Sequence, residues 1–574
     1  MSEVLDIEYL LNPDNLAGEI SKKFDLWNSL RQEWVQEKKE LRNYLYATDT
    51  STTTNKKLPW SNSTTTPKLT QIYDNLKANY TAALFPNTNW MRWEADDRES
   101  QRKATVVQAY MQNKLRQGKF EYVVDRLIDD FILYGNCFAT VEFESEYNDV
   151  NGEIIPAYIG PRITRISPHD IVFNPTASHF EKTPKIIRSV VTLGEVKEMM
   201  QNGDNSLAGV FDKMLNNRKE VSIASGFDKQ DGYVADGFSS IQQYYGSDYV
   251  EILTFYGDIY DTNEDVLKVN RKITIVDRAY VIGDEEIASW LGKTPIFHSG
   301  WRSRPDNLYA MGPLDNLVGM QYRIDHLENL KADVFDQIAL PMLKIRGDVE
   351  DFDYEPGGRI YMGEEGDVAP LVPDATALQA DLQIQQLENK MEELAGAPRQ
   401  AMGIRTPGEK TAFEVQTLQN AASRIFQHKA SKFEAEFVEP VLNSMLESSR
   451  RNLQEADAIR VLDDETGATL FKSITKEDIT AKGKLIPMGA RHFAERAQRL
   501  QNLNQMLQIK AADPSIGAHL SGKKAAELIA YELGEEQLYG ENIAIEEQKN
   551  LQTAMQDAEA DMMEELGVAA EEGL

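Results

Sequence analysis

Cysteine is almost absent from this sequence: its 574 residues include one, Cys137. A single cysteine excludes an intramolecular disulfide and any metal site built from paired cysteines. Cys137 lies in the apolar run FILYGNCFATVEF, so we expect a buried thiol in a core. The lack of disulfides indicates a protein made in a reducing cytoplasm.

Long apolar runs and positive charge are also scarce. No stretch approaches the roughly 18 apolar residues that cross a bilayer, so we expect no membrane partner. The chain carries 92 acidic residues against 61 Lys and Arg, a formal net charge of −31. Because affinity for nucleic acid comes from neutralising phosphates, the chain as a whole would repel DNA. This balance is typical of a solvated acidic surface, and it also suits a surface that stays near DNA without binding it.

The motifs of common enzyme classes are missing. A P-loop requires G-x-x-x-x-G-K-[ST], because its backbone amides hold the phosphates. The nearest approach is Gly292-Lys293-Thr294, where Ile287 occupies the position of the first glycine. No G-x-G-x-x-G and no H-E-x-x-H occurs, and no pair among the seven histidines has metal-ligand spacing on a helix. We therefore predict that the chain is not an enzyme and uses no cofactor or metal.

The first half of the sequence alternates helical and strand patterns. Residues 15–47 predict one amphipathic helix, with an apolar face made of Phe24, Trp27, Leu30, Trp34, Leu41 and Tyr44. The threonine-rich stretch TDTSTTTNKKLPWSNSTTTPK predicts an irregular loop. A helix over KLTQIYDNLKANYTAALF, ending at Pro86, follows it, and two more are expected over 101–135. Gly135 and Asn136 predict a turn. Strands are predicted for NWMRWE, CFATVEFE, EILTFYGDIY, KITIVDRAYVI and TPIFHSGW.

The second half is mainly helical, with one strand-like insert. A helix over 312–339 carries an apolar stripe with near-heptad spacing, made of Leu317, Met320, Ile324, Leu327, Val334 and Ile338. A β-like insert at 340–374 separates it from a helix over 375–396. The inward residues of that second helix are expected to be Leu378, Leu382, Leu387, Met391 and Leu394. Strands and helices in separate runs predict an α+β fold.

A third helix is predicted to begin at Thr411 and to run to about residue 447. Thr411 and Glu414 match a capping box, in which each side chain pairs with a free backbone N–H. Pro440 predicts a kink in this helix, since proline removes a hydrogen bond and its ring crowds the preceding turn. Residues 488–574 predict further helices that end in an acidic tail.

Several segments resemble one family in the same order along most of the chain. They are PWSNSTTTPKLTQIYDNLKANYTAALFPNTNWMRWE, FEYVVDRLIDDFILYGNCFATVEF, ITRISPHDIVF, RTPGEKTAFEVQ, MGARHFAERAQRLQNLNQML and IEEQKNLQTAMQ. The sequence resembles the portal, or head-to-tail connector, proteins of short-tailed (podovirus) bacteriophages. Each segment alone is a weak match, and their shared order carries the resemblance.

The resemblance implies a portal fold with seven parts. These are a wing domain at 1–311 with N-terminal helices and a β-rich part, a first stem helix at 312–339, a clip at 340–374, a second stem helix at 375–396, a tunnel loop at 397–410, a long helix with the wing return at 411–487, and a helical crown or barrel at 488–574.

The resemblance also implies a function. The family forms a ring of about twelve subunits, a homododecamer, at one capsid vertex of the virion, and the particle is assembled in the host cytoplasm. Double-stranded DNA passes through the ring during packaging, is retained by it and is later ejected. The implied partners are the terminase motor, tail adaptor proteins, and the major capsid and scaffolding proteins. The alternative is another large structural virion protein, such as a tail or internal-core component. The helix, β-insert, helix, loop and long-helix series favours the portal, because tail proteins are mostly β-structure.

Two segments of contrasting charge are candidate sites. The tunnel loop carries Arg399, Arg405 and Lys410 against one acid, Glu409. This small basic loop on an acidic chain is expected to contact DNA phosphates; an ordinary solvated loop is the alternative. In contrast, residues 341–372 hold eight acids and three bases. The residues expected to contact the adaptor are Lys344, Arg346, Asp348, Asp351 and Arg359.

Replacing Arg399, Arg405 and Lys410 together with alanine should leave ring formation intact, because the glycine- and proline-rich link offers few apolar anchors for assembly. It should lower the amount of DNA packaged or retained, because a collar of positive charge is lost. Electron microscopy of the rings and the length of packaged DNA per particle check the two parts. Full-length, stably retained DNA would contradict the prediction, and so would loss of the ring.

Overall fold

The computed structural model describes residues 5–7, 13–46, 62–86, 90–150, 153–192, 194–197, 249–261, 266–287, 294–352, 359–371, 379–395, 425–453, 457–462 and 469–489. The chain forms two compact units, residues 1–459 with 473–489, and residues 460–472 with 490–574. The description below concerns the first unit. Three predicted features lie outside the described residues: the tunnel loop at 397–410, the Thr411–Glu414 capping box and the acidic tail.

The helices are α1 (Pro13–Leu30), α2 (Gln32–Tyr46), α3 (Lys68–Leu84), α4 (Arg98–Arg102), α5 (Ala104–Gln117), α6 (Phe120–Leu133), α7 (Val318–Ala339), α8 (Asp381–Ala395), α9 (Glu439–Asn452) and α10 (Lys476–Ile479). A 3-10 turn at Asp315–Leu317 precedes α7. In the part of the chain that is described, no helix is both long and apolar enough to cross a membrane.

The strands are β1 (Leu5–Ile7), β2 (Met91–Ala95), β3 (Asn136–Val150), β4 (Glu153–Ile166), β5 (Ile171–Phe173), β6 (Lys185–Thr192), β7 (Tyr249–Asp261), β8 (Val266–Val276), β9 (Tyr280–Glu286), β10 (Ile296–Gly300), β11 (Arg302–Arg304), β12 (Asn307–Met311), β13 (Met342–Arg346), β14 (Asp367–Leu371), β15 (Asp457–Leu462), β16 (Thr469–Ile474) and β17 (Gly483–Pro487). The fold is α+β, as the sequence predicted.

The largest sheet has the strand order β5-β6-β7-β8-β9, and β1 pairs in parallel with the far end of β7. Helix α1 covers one face of this sheet, because its apolar residues recur on one side of the helix while those of the strands alternate. The helix contributes Leu16, Ala17, Ile20, Phe24 and Trp27 to the shared core. The strands contribute Val172, Ile186, Leu253, Phe255, Ile259, Ile273 and Ile275.

A second sheet, with the order β10-β3-β4, lies at the centre of another core. Helices α6 and α9 both pack against β3 and β4. Cys137 on β3 is fully buried there, which confirms the expected core thiol. Burial raises the pKa of the Cys137 thiol well above its usual value, so the thiol stays protonated and inert.

Helices α1 and α2 were predicted as one helix, and this prediction was wrong. The chain breaks at Arg31, which is buried although it is charged. Its guanidinium donates hydrogen bonds to three backbone carbonyls, those of Pro168, His169 and Ile171, at 2.6–2.9 Å. These bonds to residues 168–171 thus fix the position where the helix breaks. No pattern in the local sequence indicates this position. The predicted inward position of Leu30 was also wrong, since Leu30 is 54% exposed.

Two further elements show how turns divide the chain. The segment KITIVDRAYVI, predicted as one strand, forms β8 and β9 joined by a turn in which Asp277 and Arg278 have φ of 50° and 59°. The Ala279 N–H bonds to the Val276 carbonyl at 3.1 Å, so Asp277 and Arg278 are the two central residues of a β-turn, and positive φ at both suits the twist of a hairpin. In contrast, the turn predicted at Gly135 is present between α6 and β3, with φ of 69°.

The helix that contains Pro440 is widened just before this residue. Residues 425–433 are helical, Glu434–Val438 form a π-helical turn, and α9 follows. In a regular α-helix the ring of Pro440 would crowd the carbonyl of Glu436. The wider turn, in which the Glu439 N–H bonds to the Glu434 carbonyl, accommodates the ring. A π-helical turn is itself a recognised cause of helix bending.

Gly135→Ala should destabilise the protein strongly. A Cβ at this position would lie 2.4 Å from both Gly312 N and Met311 C, and a non-glycine residue there adds left-handed strain of about 1–3 kcal/mol. The matched control is Gly18→Ala in α1, where a Cβ meets nothing within 4 Å. That change should leave stability equal or raise it by about 0.5–1 kcal/mol. Thermal unfolding midpoints check both, and equal midpoints for the two variants would contradict the prediction.

Candidate functional site: a helical arm with a β-hairpin

The candidate site is an arm made of α7, the hairpin β13–β14 and α8, at residues 318–395. The hairpin is antiparallel, with Met342 opposite Leu371 and Arg346 opposite Asp367. It corresponds to the strand-like insert predicted between two helices. Helices α7 and α8 pack against each other, and the Lys331 ammonium bridges Asp381 at 2.5 Å and Glu328 at 3.2 Å. The arm is therefore a helix pair with a hairpin between its two helices.

Helix α7 is held along its length by an extended segment, residues 62–66, which we call the strap. Four side chains of α7, spaced by four residues, bond to the backbone of the strap or to that of Leu69 in the first turn of α3. Asp333 Oδ1 accepts from the Asn62 N–H at 2.6 Å, Asn329 Oδ1 from the Thr64 N–H at 2.8 Å, Asp325 Oδ1 from the Thr66 N–H at 2.9 Å, and Gln321 Oε1 from the Leu69 N–H at 3.1 Å.

The two segments fit because their repeats nearly coincide. Four residues of an α-helix rise about 6.0 Å, and two residues of an extended chain advance about 6.6 Å. Successive side chains on one face of α7 therefore meet alternate N–H groups of the strap. Four further bonds complete the ladder. Asn329 Nδ2 donates to the Thr64 carbonyl, and Gln321 Nε2 donates to the Thr66 carbonyl. Asn62 Nδ2 donates to both Asp333 and Asp336.

Two buried ion pairs fix the base of the arm. Lys38 on α2 pairs with Asp315, just before α7, and Lys68 at the start of α3 pairs with Glu392 on α8. Burial lowers the pKa of Lys38, against the opposing effect of Asp315. Removing one partner of such a pair would leave a buried charge unpaired, which costs about 3–5 kcal/mol. These pairs therefore specify where the arm joins the N-terminal helices.

Asp325 lies at the centre of the ladder and is buried. Burial raises the pKa of its carboxyl from 3.8 to about 6, while the Thr66 N–H and the Gln321 amide favour the ionised form. Its Oδ1 accepts both hydrogen bonds, at 2.9 and 2.8 Å. Its Oδ2 is buried and has no hydrogen-bond partner among the described residues. The folded protein therefore disfavours the ionised form of the Asp325 carboxyl, compared with the unfolded chain.

The arm exposes much apolar surface. Twelve large apolar side chains along it are exposed: Tyr322, Leu330, Phe335, Leu340, Met342, Ile345, Ile360, Tyr361, Met362, Leu371, Leu382 and Leu394. An exposed apolar surface of this extent is typical of a protein–protein contact. The prediction that Leu382 and Leu394 point inward was wrong, since they are 68% and 51% exposed. Helix α8 instead buries Ile384, Met391, Glu392 and Ala395.

The five predicted adaptor-contact residues lie on or beside the hairpin, and all are exposed. Lys344 and Arg346 lie on β13, two residues apart and so on the same face. Asp348 follows the turn at Gly347, and its carbonyl accepts from the Gly363 N–H at 2.9 Å. Asp351 and Arg359 come next along the chain. No ion pair joins these five side chains to one another in the described part of the hairpin.

The tunnel-loop residues Arg399, Arg405 and Lys410 lie outside the described residues. The ladder on α7 was not predicted from the sequence, although a signal for it exists. Gln321, Asp325, Asn329 and Asp333 recur at four-residue spacing, which marks one polar face of the helix. Across the described ranges, no group of three or more His, Cys, Asp or Glu side chains could hold a metal ion.

Comparison with known families gives one match. The model of a family described as bacteriophage head to tail connecting protein matches residues 17–156, from α1 into β4. The matched range includes the strap, α3 and the resembling segments around α3 and α6. A search of curated proteins found no similar sequence. The family match supports a phage portal-type structural role for this chain.

The two substitutions Asp325→Asn and Asp325→Ala should have different effects on the stability of the folded protein. Asparagine keeps the acceptor and removes the charge, so stability at pH 7.5 should equal or exceed that of the parent by about 1 kcal/mol, allowing for solvent screening. Alanine leaves the Thr66 N–H unpaired and removes one hydrogen bond of the Gln321 amide, which should cost about 1–3 kcal/mol.

The pH dependence gives a second check on Asp325. Because the folded-state pKa is raised, its proton is held more tightly in the folded protein, so stability gained from this group rises as pH falls through about 6. Any advantage of the asparagine variant should therefore shrink at pH 5. Unfolding midpoints at the two pH values test this, and an asparagine variant as unstable as the alanine variant would contradict it.

Proposed function

We propose that this chain is the portal protein of a short-tailed bacteriophage. In this proposal about twelve copies form a ring at one capsid vertex, and double-stranded DNA passes through it during packaging and ejection. The observation that carries the proposal is the match of residues 17–156 to the head-to-tail connecting family. The arm lies outside the matched range. Its exposed apolar surface gives the proposed subunit a face for contacting its neighbours in the ring.

The exposed apolar surface of the arm supports a contact between copies. Phe335 and Leu382 are 62% and 68% exposed on α7 and α8, and a soluble protein rarely leaves such side chains in water without a partner. In the proposed assembly α7 and α8 are the stem helices, and each packs against the stem of a neighbouring subunit. A heterologous contact of this kind closes into a ring when its rotation allows.

The hairpin suits the proposed clip, where terminase and later the tail adaptors would dock. It projects from the end of a helix pair, and both its strands are largely exposed. Lys344 and Arg346 lie on one strand, and Asp348 and Asp351 follow within five residues. Mixed charge on an exposed hairpin provides electrostatic complementarity, which selects partners more than it adds affinity.

Charge supports the proposed path of DNA. In the proposed ring, the net charge of −31 would give channel walls that repel phosphates and let DNA slide. The proposed tunnel loop, with Arg399, Arg405 and Lys410, would add a weak, sequence-independent grip, because phosphate contacts carry no sequence information. Major capsid and scaffolding proteins would surround the proposed wing. The rival proposal of a tail or internal-core protein does not account for a helix pair that carries a terminal hairpin.

The purified protein should form rings with a central hole, seen by negative-stain electron microscopy and sized by mass photometry. The double variant Phe335→Asp/Leu382→Asp should leave subunits of 65.0 kDa, because it places charge in the proposed contact. Tyr122→Asp is the matched control, since Tyr122 is 63% exposed on α6, outside the arm; it should still form rings. A parent protein that stays monomeric at micromolar concentration would overturn the proposal. Rings from the double variant would overturn the arm as the contact.

A further inference from the structure

We propose that the strap is a releasable lock, which holds the outer half of α7 against the N-terminal helices and opens when the arm changes its angle. This inference rests on the proposed ring, in which the arms line the channel, but its structural part does not depend on assembly. Four observations support it: the strap is held by hydrogen bonds, several of these bonds are exposed, two buried polar atoms beneath the strap are unpaired, and the base of the arm next to it is fixed.

The strap is held almost entirely by hydrogen bonds. Of its five residues only Thr65 is buried, while Asn62, Ser63 and Thr66 are partly exposed and Thr64 is exposed. None of the five has a large apolar side chain. The adjoining α3 differs sharply, since it buries Leu69, Ile72, Leu76, Tyr80 and Leu84. A segment with few buried apolar contacts and partly exposed hydrogen bonds opens at lower free energy than the core beside it.

The hydrogen bonds of the ladder differ in burial. The bond from the Leu69 N–H to Gln321 is buried, and that from the Thr66 N–H to Asp325 is partly buried. The two bonds between Thr64 and Asn329 are exposed, as is the bond from Asn62 to Asp336. The two bonds from Asn62 to Asp333 are partly buried. Exposed bonds exchange readily with water, so the strap should separate first around Thr64, and the opening should stop near Pro67.

The seat of the strap leaves two buried polar atoms unpaired. Asp325 Oδ2 and Thr65 Oγ1 are both buried and have no hydrogen-bond partner among the described residues. Unpaired buried polar atoms destabilise the state that buries them. The closed strap is therefore less stable than its number of hydrogen bonds suggests. Its lower stability makes opening easier.

The base of the arm would stay in place while the strap opens. The buried pairs Lys38–Asp315 and Lys68–Glu392 hold the start of α7 and the end of α8. Opening frees α7 from about Asp325 outward, and Lys331 keeps α8 attached to it through Asp381. The outer half of the helix pair, with the hairpin, could then swing as one body about the fixed base.

Hydrogen exchange tests whether the strap opens by itself, on rings or single subunits alike. The amides of Thr64 and Thr66 should exchange faster than those of the α3 interior. Asn329→Ala removes both bonds to Thr64 and should speed exchange there by about tenfold, which corresponds to about 1.4 kcal/mol. Arg323→Ala, an exposed change on the same helix that touches no strap bond, should have no effect. Strap amides as protected as those of α3 would overturn the proposal.

A reversible disulfide tests whether opening matters. Asn62 N and Nδ2 both bond to Asp333 Oδ1, at 2.6 and 2.9 Å, so Asn62→Cys/Asp333→Cys introduces thiols at two residues that are in contact. Native Cys137 is buried and will not compete. The oxidised protein should form normal rings yet package less DNA per particle, and reduction should restore packaging.

Full packaging by the oxidised rings would overturn the role of opening. If the parent protein forms no ring, the proposed function fails instead, and the exchange experiment still decides whether the strap opens.

Discussion

The arm depends on one interaction, the pairing of α7 side chains with the backbone of the strap. A helix normally presents its polar face to water, but here Gln321, Asp325, Asn329 and Asp333 bond to the main chain of an extended segment. The near match between four helical residues and two extended residues makes this possible. Because the bonds go to backbone groups, the spacing of α7 matters more than the side chains of the strap.

The ladder also explains why the N-terminal helices and the arm form a connected whole. The strap leads directly into α3, whose apolar face is buried in the core. Lys68, the first residue of α3, reaches across to Glu392 on α8. One short stretch of chain therefore bonds to both helices of the arm. The family match at residues 17–156 covers the helices and the strap that hold the arm, while the arm itself lies beyond the match.

The arm has two kinds of surface, one buried against its own chain and one exposed. Towards the rest of its own chain it uses paired charges and hydrogen bonds, which require defined geometry and so fix position. Away from the chain it exposes apolar side chains such as Phe335, Met342 and Leu382, which stabilise a contact by burial with little directional demand. This division suits a subunit whose arm must be oriented first and then packed against neighbours.

The sequence alone determined the features that arise from local periodicity and local backbone limits. Helical spacing predicted α3, α5, α6 and α7, alternation predicted β3 and β10, and Gly135 predicted the turn between α6 and β3. The apolar surroundings of Cys137 predicted its burial. In each case the relevant residues lie within a few turns of one another, so the pattern can be seen in the chain itself.

Only the tertiary structure decided the features that join residues distant in sequence. Arg31 ends α1 because it binds the carbonyls of a loop more than a hundred residues away. Leu382 looks inward by its spacing but is exposed, because periodicity identifies an apolar face without saying what covers it. Residues 62–66 of the threonine-rich stretch form no helix or named strand, as expected for an irregular loop, but their bonds along α7 were not predicted. A polar side chain carries no local sign of which distant N–H it will bind.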